Sequence, residues 1–164
     1  MKVVILAGGY GTRIAEYTKK IPKPMIKIAG LPLLTHIMRI FKSYGYKEFI
    51  IAAGYKKNVI QSYYLKSKEF KHLKVIDTGK DTMTGGRILK LKSFIKKGEN
   101  FFVTYGDGLS DINIKKLKSF HLKHKKIATV TAVRPPVRFG ELSIRNKQVL
   151  KFKDPVLDTI IKKE

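Results

Sequence analysis

The sequence predicts an α/β fold, a mostly parallel sheet with helices on both faces. Three observations carry that prediction. Short apolar runs alternate with helical patterns along the chain. The first run is apolar throughout, as a strand buried on both faces requires. Glycine-rich turns follow two of the runs, at the strand ends where parallel sheets gather ligands.

Each element has its own reason. Residues 3–6 (VVIL) are the first strand. Pro32 suits the first turn of a helix. Leu33, Leu34, Ile37, Met38, Ile40, Phe41 and Tyr44 then recur at helical spacing, and Gly45 supplies the stop. Residues 49–53 read as a second strand, 58–65 as a second helix and 73–76 as a short strand. Residues 86–97 read as one helix with Ile88, Leu89, Leu91, Phe94 and Ile95 facing inward. Residues 100–104 form a strand that runs into "YGDG", 114–124 a helix and 127–133 another strand. The remainder, around 140–144 and 148–152, is β-rich, and no linker or internal repeat interrupts the series.

Composition narrows the function. A chain of 164 residues with 43% hydrophobic and 10% aromatic content fits one globular domain with a real core. With no cysteine there is neither a disulfide framework nor a thiolate metal site, and a reducing cytoplasm is the expected compartment. No apolar run approaches the ~20 residues that span a bilayer. The run after Met1-Lys2 is too short for a signal peptide, so neither export nor a membrane partner is expected. The net charge of +23 suggests polyanion binding at first sight. Its cations are mostly lysines scattered over nearly every segment, whereas nucleic-acid readers concentrate charge on one face and favour arginine. No specific nucleic-acid partner is expected.

Four segments carry candidate chemistry. In "LAGGYGTR", Gly8, Gly9 and Gly11 permit close backbone approach, Thr12 offers a hydroxyl and Arg13 a fixed charge. A phosphate nest and a plain strand-to-helix turn both fit this loop. It matches neither the P-loop nor the dinucleotide fingerprint, since no Gly-Lys-Ser/Thr follows and Ile14 stands where a third glycine belongs. In Pro22-Lys23-Pro24 two prolines stiffen the backbone around one cation, a poor use of rigidity for a merely solvated lysine. Asp107, between two glycines at a strand end, suits Mg²⁺ and equally suits an Asp-Gly turn. The segment "DTGKDTMTGGR" offers hydroxyls and N–H groups for a base edge or a phosphate, or simply caps a helix. His121 and His124 read as surface residues, since no third metal ligand is nearby, and Tyr63-Tyr64 reads as packing. No Cys nucleophile or Gly-x-Ser-x-Gly motif is present.

Taken in order, "LAGGYGTR", "PKPMIKIAG", "DTGKDTMTGGR", "FFVTYGDG" and "RFGELSI" resemble the sugar-phosphate nucleotidylyltransferases, and within them the glucose-1-phosphate cytidylyltransferase branch. The resemblance runs from residue 1 to about 152 and implies a Rossmann-like, nucleotide-diphospho-sugar transferase type of fold, truncated at its C-terminus. Residues 1–152 are then the incomplete nucleotide-binding domain and 153–164 an unmatched tail. The implied reaction takes CTP and glucose 1-phosphate to CDP-glucose and pyrophosphate in one Mg²⁺-assisted displacement, in the cytoplasm, as part of cell-surface polysaccharide synthesis. By similarity, Leu6, Ala7, Gly8, Gly9 and Gly11 wrap the nucleotide, and Thr12 and Arg13 hold the departing phosphates. Lys23 would stabilise charge near the α-phosphate, making Arg13 and Lys23 the catalytic pair. Thr82, Arg87 and Gly106 match nucleotide contacts, Asp107 a metal ligand and Gly140 the entrance of the sugar-phosphate pocket.

The chain also departs from the family. A family Glu-Lys-Pro motif is replaced by Lys153-Asp154-Pro155, and the tail "VLDTIIKKE" matches nothing in it. The rest of the sugar pocket, the second metal-binding Asp and the closing helices have no counterpart. The stretch between Tyr64 and Asp77 is shorter than in the cytidylyl branch, where an insertion contributes to contacts of a homo-oligomer. An alternative expectation is therefore a nucleotide-binding fragment without turnover.

Overall fold

The computed structural model of the chain describes residues 1–12, 15–133, 141–146 and 148–153. It comprises two compact units, Met1–Lys123 and His124–Glu164. The first holds a four-stranded parallel sheet. Strand β1 (Val3–Ala7) lies between β4 (Glu48–Ala53) and β6 (Phe102–Tyr105), with β5 (His72–Asp77) outside β4. Val3 stands opposite both Phe49 and Phe102, so β1 is hydrogen-bonded along both edges. All five of its residues are buried, which explains an apolar run without alternation.

Odd and even positions of the central strands feed two cores. Val3, Ile5, Phe49 and Ile51 pack with helix α2 (Leu33–Ser43), helix α3 (Lys57–Leu65) and the start of α5 (Ile114–His124). Val4, Leu6, Ile50 and Ala52 pack with Leu91 and the flanking Ile88, Phe94 and Ile95. Helical cover on both faces is therefore as expected. Helix α2 begins after Pro32 and ends before Gly45, whose φ of +89° only glycine adopts without strain. A short hairpin, β2 (Lys27–Ile28) and β3 (Leu31–Pro32), leads into it. Helix α1 (Ala15–Thr18) and a 3₁₀ turn over Lys23–Met25 lie earlier in the chain.

Two elements differ from expectation. Residues 86–97 are not one helix: α4 spans Thr84–Leu89, and a 3₁₀ turn follows at Lys92–Phe94. Backbone bonds from Leu91 to Ile88 and from Phe94 to Leu91 tighten the chain to a three-residue repeat. That repeat brings Ile88, Leu91 and Phe94 over the sheet and leaves Leu89 70% exposed. Residues 127–133 form no strand, and Ile127, Val130 and Val133 are exposed. Apolar, β-branched composition favours a strand only when another strand pairs with it, and none does among the described residues. The β-rich expectation further on holds: β7 (Glu141–Arg145) and β8 (Gln148–Lys153) form an antiparallel hairpin in the second unit.

Candidate functional site

Strand order β5-β4-β1-β6 reverses direction at β1, because the chain moves outward through β4 and β5 and then returns to β6 on the other side. In open parallel sheets the crevice at the carboxyl ends beside such a reversal is where ligands bind. A cavity of about 480 Å³ opens there. Residues 6–11 at the end of β1 and in the loop beyond it, Lys23-Pro24, residues 80–84, Arg87, Tyr105 and Asp107 line it.

Of the residues singled out in the sequence, Leu6, Ala7, Gly8, Gly9, Gly11, Lys23, Thr82, Arg87 and Asp107 all line this cavity. Thr12 is exposed and does not belong to the lining. Gly106 lies just behind it. Arg13 and Gly140 lie outside the described residues.

The first loop takes its shape from neighbours. A Cβ on Gly8 would sit 2.0 Å from an Arg87 nitrogen, and Gly11 has φ +67° with Thr18 Cγ2 2.7 Å from a built Cβ. A side chain at Gly9 would meet nothing within 4 Å, so there the missing Cβ leaves the loop open towards the cavity. At the far side, the Gly106 N–H donates to the Leu6 carbonyl at 2.9 Å. A Cβ on Gly106 would lie 2.9 Å from the Pro24 ring, so glycine lets the stiff 22–24 segment close down on the end of β6. That contact delivers the central ion pair: Lys23 Nζ donates to Asp107 Oδ2 at 2.6 Å, both side chains being 36% exposed.

Arg87 is the buried cation, with 6% exposure. Its Nη1 donates to Thr78 Oγ1 and the Gly79 carbonyl, both at 2.7 Å, and more distantly to the Ala53 carbonyl. Its Nη2 donates to the carbonyls of Gly8 at 3.0 Å and Lys80 at 2.9 Å. One guanidinium thus ties together the ends of β1, β4 and β5. Burial pulls its pKa below the ordinary arginine value, opposed by Asp77 and Asp81 nearby. Lys90 braces the same loop, donating to the Thr78 carbonyl at 2.9 Å and Thr82 Oγ1 at 3.1 Å. Asp77 accepts from the Gly79 N–H at 2.9 Å and Lys57 at 3.0 Å, and these two bonds hold its carboxyl below the usual range.

Several contributors escaped the sequence reading. Gly54 ends β4 as Gly8 ends β1; a Cβ there would lie 2.5 Å from the Gly79 carbonyl. A glycine closing the apolar run "FIIAAG" was the available signal. Tyr10 packs against Tyr55 with ring centroids 5.2 Å apart. Its hydroxyl donates to Asp81 Oδ1 at 2.6 Å, and that bond raises the phenol's pKa above its ordinary value. No local pattern links residues 71 positions apart. His121 and His124 are half-buried and make hydrogen bonds to Asn100 and Thr129, and Tyr64 is buried with its hydroxyl 2.7 Å from Thr35, whereas Tyr63 is exposed.

Among the described residues no group of three or more His, Asp or Glu converges as a metal site. The donor set nevertheless fits Mg²⁺, which binds one or two carboxylates and takes its remaining oxygens from substrate phosphates and water. Asp107 supplies the one carboxylate, partly exposed, with a cation beside it to share the charge of a polyphosphate.

Fold and crevice together define an α/β protein of the Rossmann-like kind with a cavity at the sheet's switch point. A family model described as Nucleotidyl transferase matches residues 2–154, and the chain belongs to that family. It is 43% identical to the glucose-1-phosphate cytidylyltransferase of Salmonella typhimurium, in an alignment covering 94% of this chain and 68% of the relative. It is 40% identical, over the same shares, to a probable glucose-1-phosphate cytidylyltransferase of Bacillus subtilis. Among solved structures, HddC from Yersinia pseudotuberculosis complexed with GMP-PN superposes with a TM-score of 0.66 at 27% identity. That match covers 93% of this chain and 68% of HddC. The chain is thus a glucose-1-phosphate cytidylyltransferase-like nucleotidyltransferase that spans the N-terminal two thirds of these relatives. No helix among the described residues is long and apolar enough to cross a membrane.

Proposed function

We propose that the crevice binds CTP and that the chain transfers its cytidylyl group to glucose 1-phosphate, releasing pyrophosphate and forming CDP-glucose. The observation that carries this reading is the Lys23–Asp107 pair, set at 2.6 Å beside the glycine loop by the Gly106–Pro24 contact. The similarity to glucose-1-phosphate cytidylyltransferases supports the choice of base and sugar.

In this reading a phosphate oxygen of glucose 1-phosphate attacks the α-phosphorus. The bond from that phosphorus to the bridging oxygen breaks, and pyrophosphate takes the electron pair. No protein nucleophile is needed, since such transfers depend on positioning and charge neutralisation. Gly8, Gly9 and Gly11 present the loop backbone to the nucleotide. The family resemblance assigns Thr12 and Arg13 to the departing phosphates and Gly140 to the sugar-phosphate entrance. Lys23 turns towards the negative charge that builds on the α-phosphate, and Asp107 would hold Mg²⁺. When bound, the metal would supply charge neutralisation on the phosphates. Thr82 and Gly106 border the nucleotide, and Arg87 holds the loops that surround it. Residues 1–152 form the nucleotide-binding domain with 153–164 as a tail, and the enzyme works in the cytoplasm as a homo-oligomer.

A second reading, nucleotide binding without turnover, is favoured by there being no group of three or more metal-ligating side chains among the described residues. Mg²⁺-dependent pyrophosphate release from CTP and glucose 1-phosphate, with Asp107→Asn as control, decides between them. Release by the wild type that Asp107→Asn abolishes supports the transferase. Absence of release with measurable CTP binding rejects it and leaves the binding fragment.

A further inference from the structure

We infer that Tyr55 and Lys56, on the turn after β4, are positioning residues for the crevice: they clamp the carboxyl end of α1 and, through Thr18, hold Gly11 against Lys23. The inference rests on the nucleotide reading of the crevice given above.

Helix α1 has only four residues, so its carbonyls find no further helical turn and need donors from elsewhere. The turn after β4 supplies them. Tyr55 Oη donates to the Thr18 carbonyl at 3.1 Å. Lys56 Nζ donates to the same carbonyl at 3.3 Å and also to that of Lys19. The amine lies 5.1 Å from the centre of the Tyr55 ring, so the two side chains support each other. Lys56 holds this place with a φ of +51° and a ψ of 36°, a left-handed conformation that glycine enters freely and lysine does not. What its amine reaches accounts for a lysine in a turn that suits glycine.

The clamp is passed on to the crevice by contact. Thr18 Oγ1 donates to the Gly11 carbonyl at 3.2 Å, and Thr18 Cγ2 takes the space that a Cβ on Gly11 would need. Lys23 Cβ closes the other side of the same glycine, 3.3 Å from where that Cβ would stand. Gly11 is thus wedged between Thr18 and the root of the Lys23 side chain, and a shift of Thr18 moves the surface on which Lys23 rests. Tyr55 meets the loop at two more points: its N–H donates to the Gly8 carbonyl at 3.2 Å, and its ring packs on that of Tyr10. Gly8, Tyr10, Gly11 and Lys23 line the cavity, whereas Tyr55 and Lys56 do not. Their effect on a bound triphosphate is therefore exerted through the loop and through Lys23.

Isothermal titration of CTP with Mg²⁺ tests this in the wild type, Tyr55→Phe, Lys56→Gly, Lys56→Arg, Lys23→Met and the double variant Lys56→Gly with Lys23→Met. Thermal melts of each protein without nucleotide accompany it. Tyr55→Phe and Lys56→Gly are each expected to weaken CTP binding about fivefold, the worth of one hydrogen bond. Lys56→Arg keeps donors for both carbonyls and is expected to stay within about twofold of the wild type. Because the clamp works through Lys23, the losses in Lys56→Gly and Lys23→Met are expected to combine to less than their product. A lowered melting temperature with unchanged CTP affinity in Tyr55→Phe and Lys56→Gly would make the clamp merely structural and overturns the inference. Losses that multiply in full in the double variant overturn it too, and both results leave the nucleotide reading in place. A wild type that binds no CTP overturns the nucleotide reading and this inference with it.

Discussion

Arg87 sits at the centre of the site and its hydrogen bonds go to protein. Its two Nη atoms serve Thr78 and carbonyls on three different strand-end segments, and its burial leaves little room for water to replace it. Lysine keeps the charge but lacks the planar fork, so Arg87→Lys leaves several carbonyls without a donor. The expected cost is about 2–4 kcal/mol of stability, read by urea denaturation of the chain without nucleotide. A residue that served only a ligand phosphate would leave that measurement unchanged. At this scale the sequence marked candidates, many of which line the crevice, but not what each one touches. Lys23 and Asp107 are 84 positions apart, and only the approach of Pro24 to Gly106 makes them a pair.

Elements carry the next level. Where the chain must both cover the sheet and deliver the 78–84 loop to the crevice, a uniform helix gives way to α4 and a 3₁₀ turn. Leu91 is then fully buried against Val4, Leu6 and Ile50, and Leu89 is exposed. Leu91→Ala is therefore expected to destabilise by about 2–4 kcal/mol, and Leu89→Ala to stay within about 0.5 kcal/mol. Equal losses at both positions, in parallel denaturation curves, would instead support the continuous helix of the sequence reading. That helix was misread because Ile88, Leu91 and Ile95 fit an α-helical face as well as Ile88, Leu91 and Phe94 fit a three-residue repeat. The strand expected at 127–133 failed for a related reason: its composition is suitable, but pairing is a property of the neighbour. Strand β1, α2 and α5 were legible because burial on both faces, a proline entry with a glycine stop, and a long helical period each leave an unambiguous local mark.

At the scale of the molecule, charge dominates. A chain with net charge +23 has few carboxylates, and three of them are held below their ordinary values by their partners. Glu69 owes this first to Arg39, Asp77 to the Gly79 N–H and Glu99 to Lys2. A carboxylate more acidic folded than unfolded stabilises above its unfolded pKa and loses that contribution as pH falls through its folded one. The melting temperature is expected to be level above about pH 5 and to fall steadily below about pH 4, as these groups take up protons and the positive charge rises. A melting temperature that stays constant down to about pH 3 would show that these pairs contribute nothing to folding.

By itself the sequence determined the layering of the first unit, because solvent exclusion writes its period directly into apolar positions: continuous in β1, helical in α2 and α5. It also marked places that have no room for a Cβ, since Gly8, Gly11 and Gly106 each occupy a position where one would collide with a neighbouring side chain or a left-handed turn is required. Tertiary structure alone decided how those places combine. Strand order brought the ends of β1 and β6 together as a crevice, and the Arg87 guanidinium joined three loops that share no local pattern. It also set Tyr10 against Asp81 across 71 residues of chain. Such contacts depend on the path of the chain between them, and no window of sequence contains both partners.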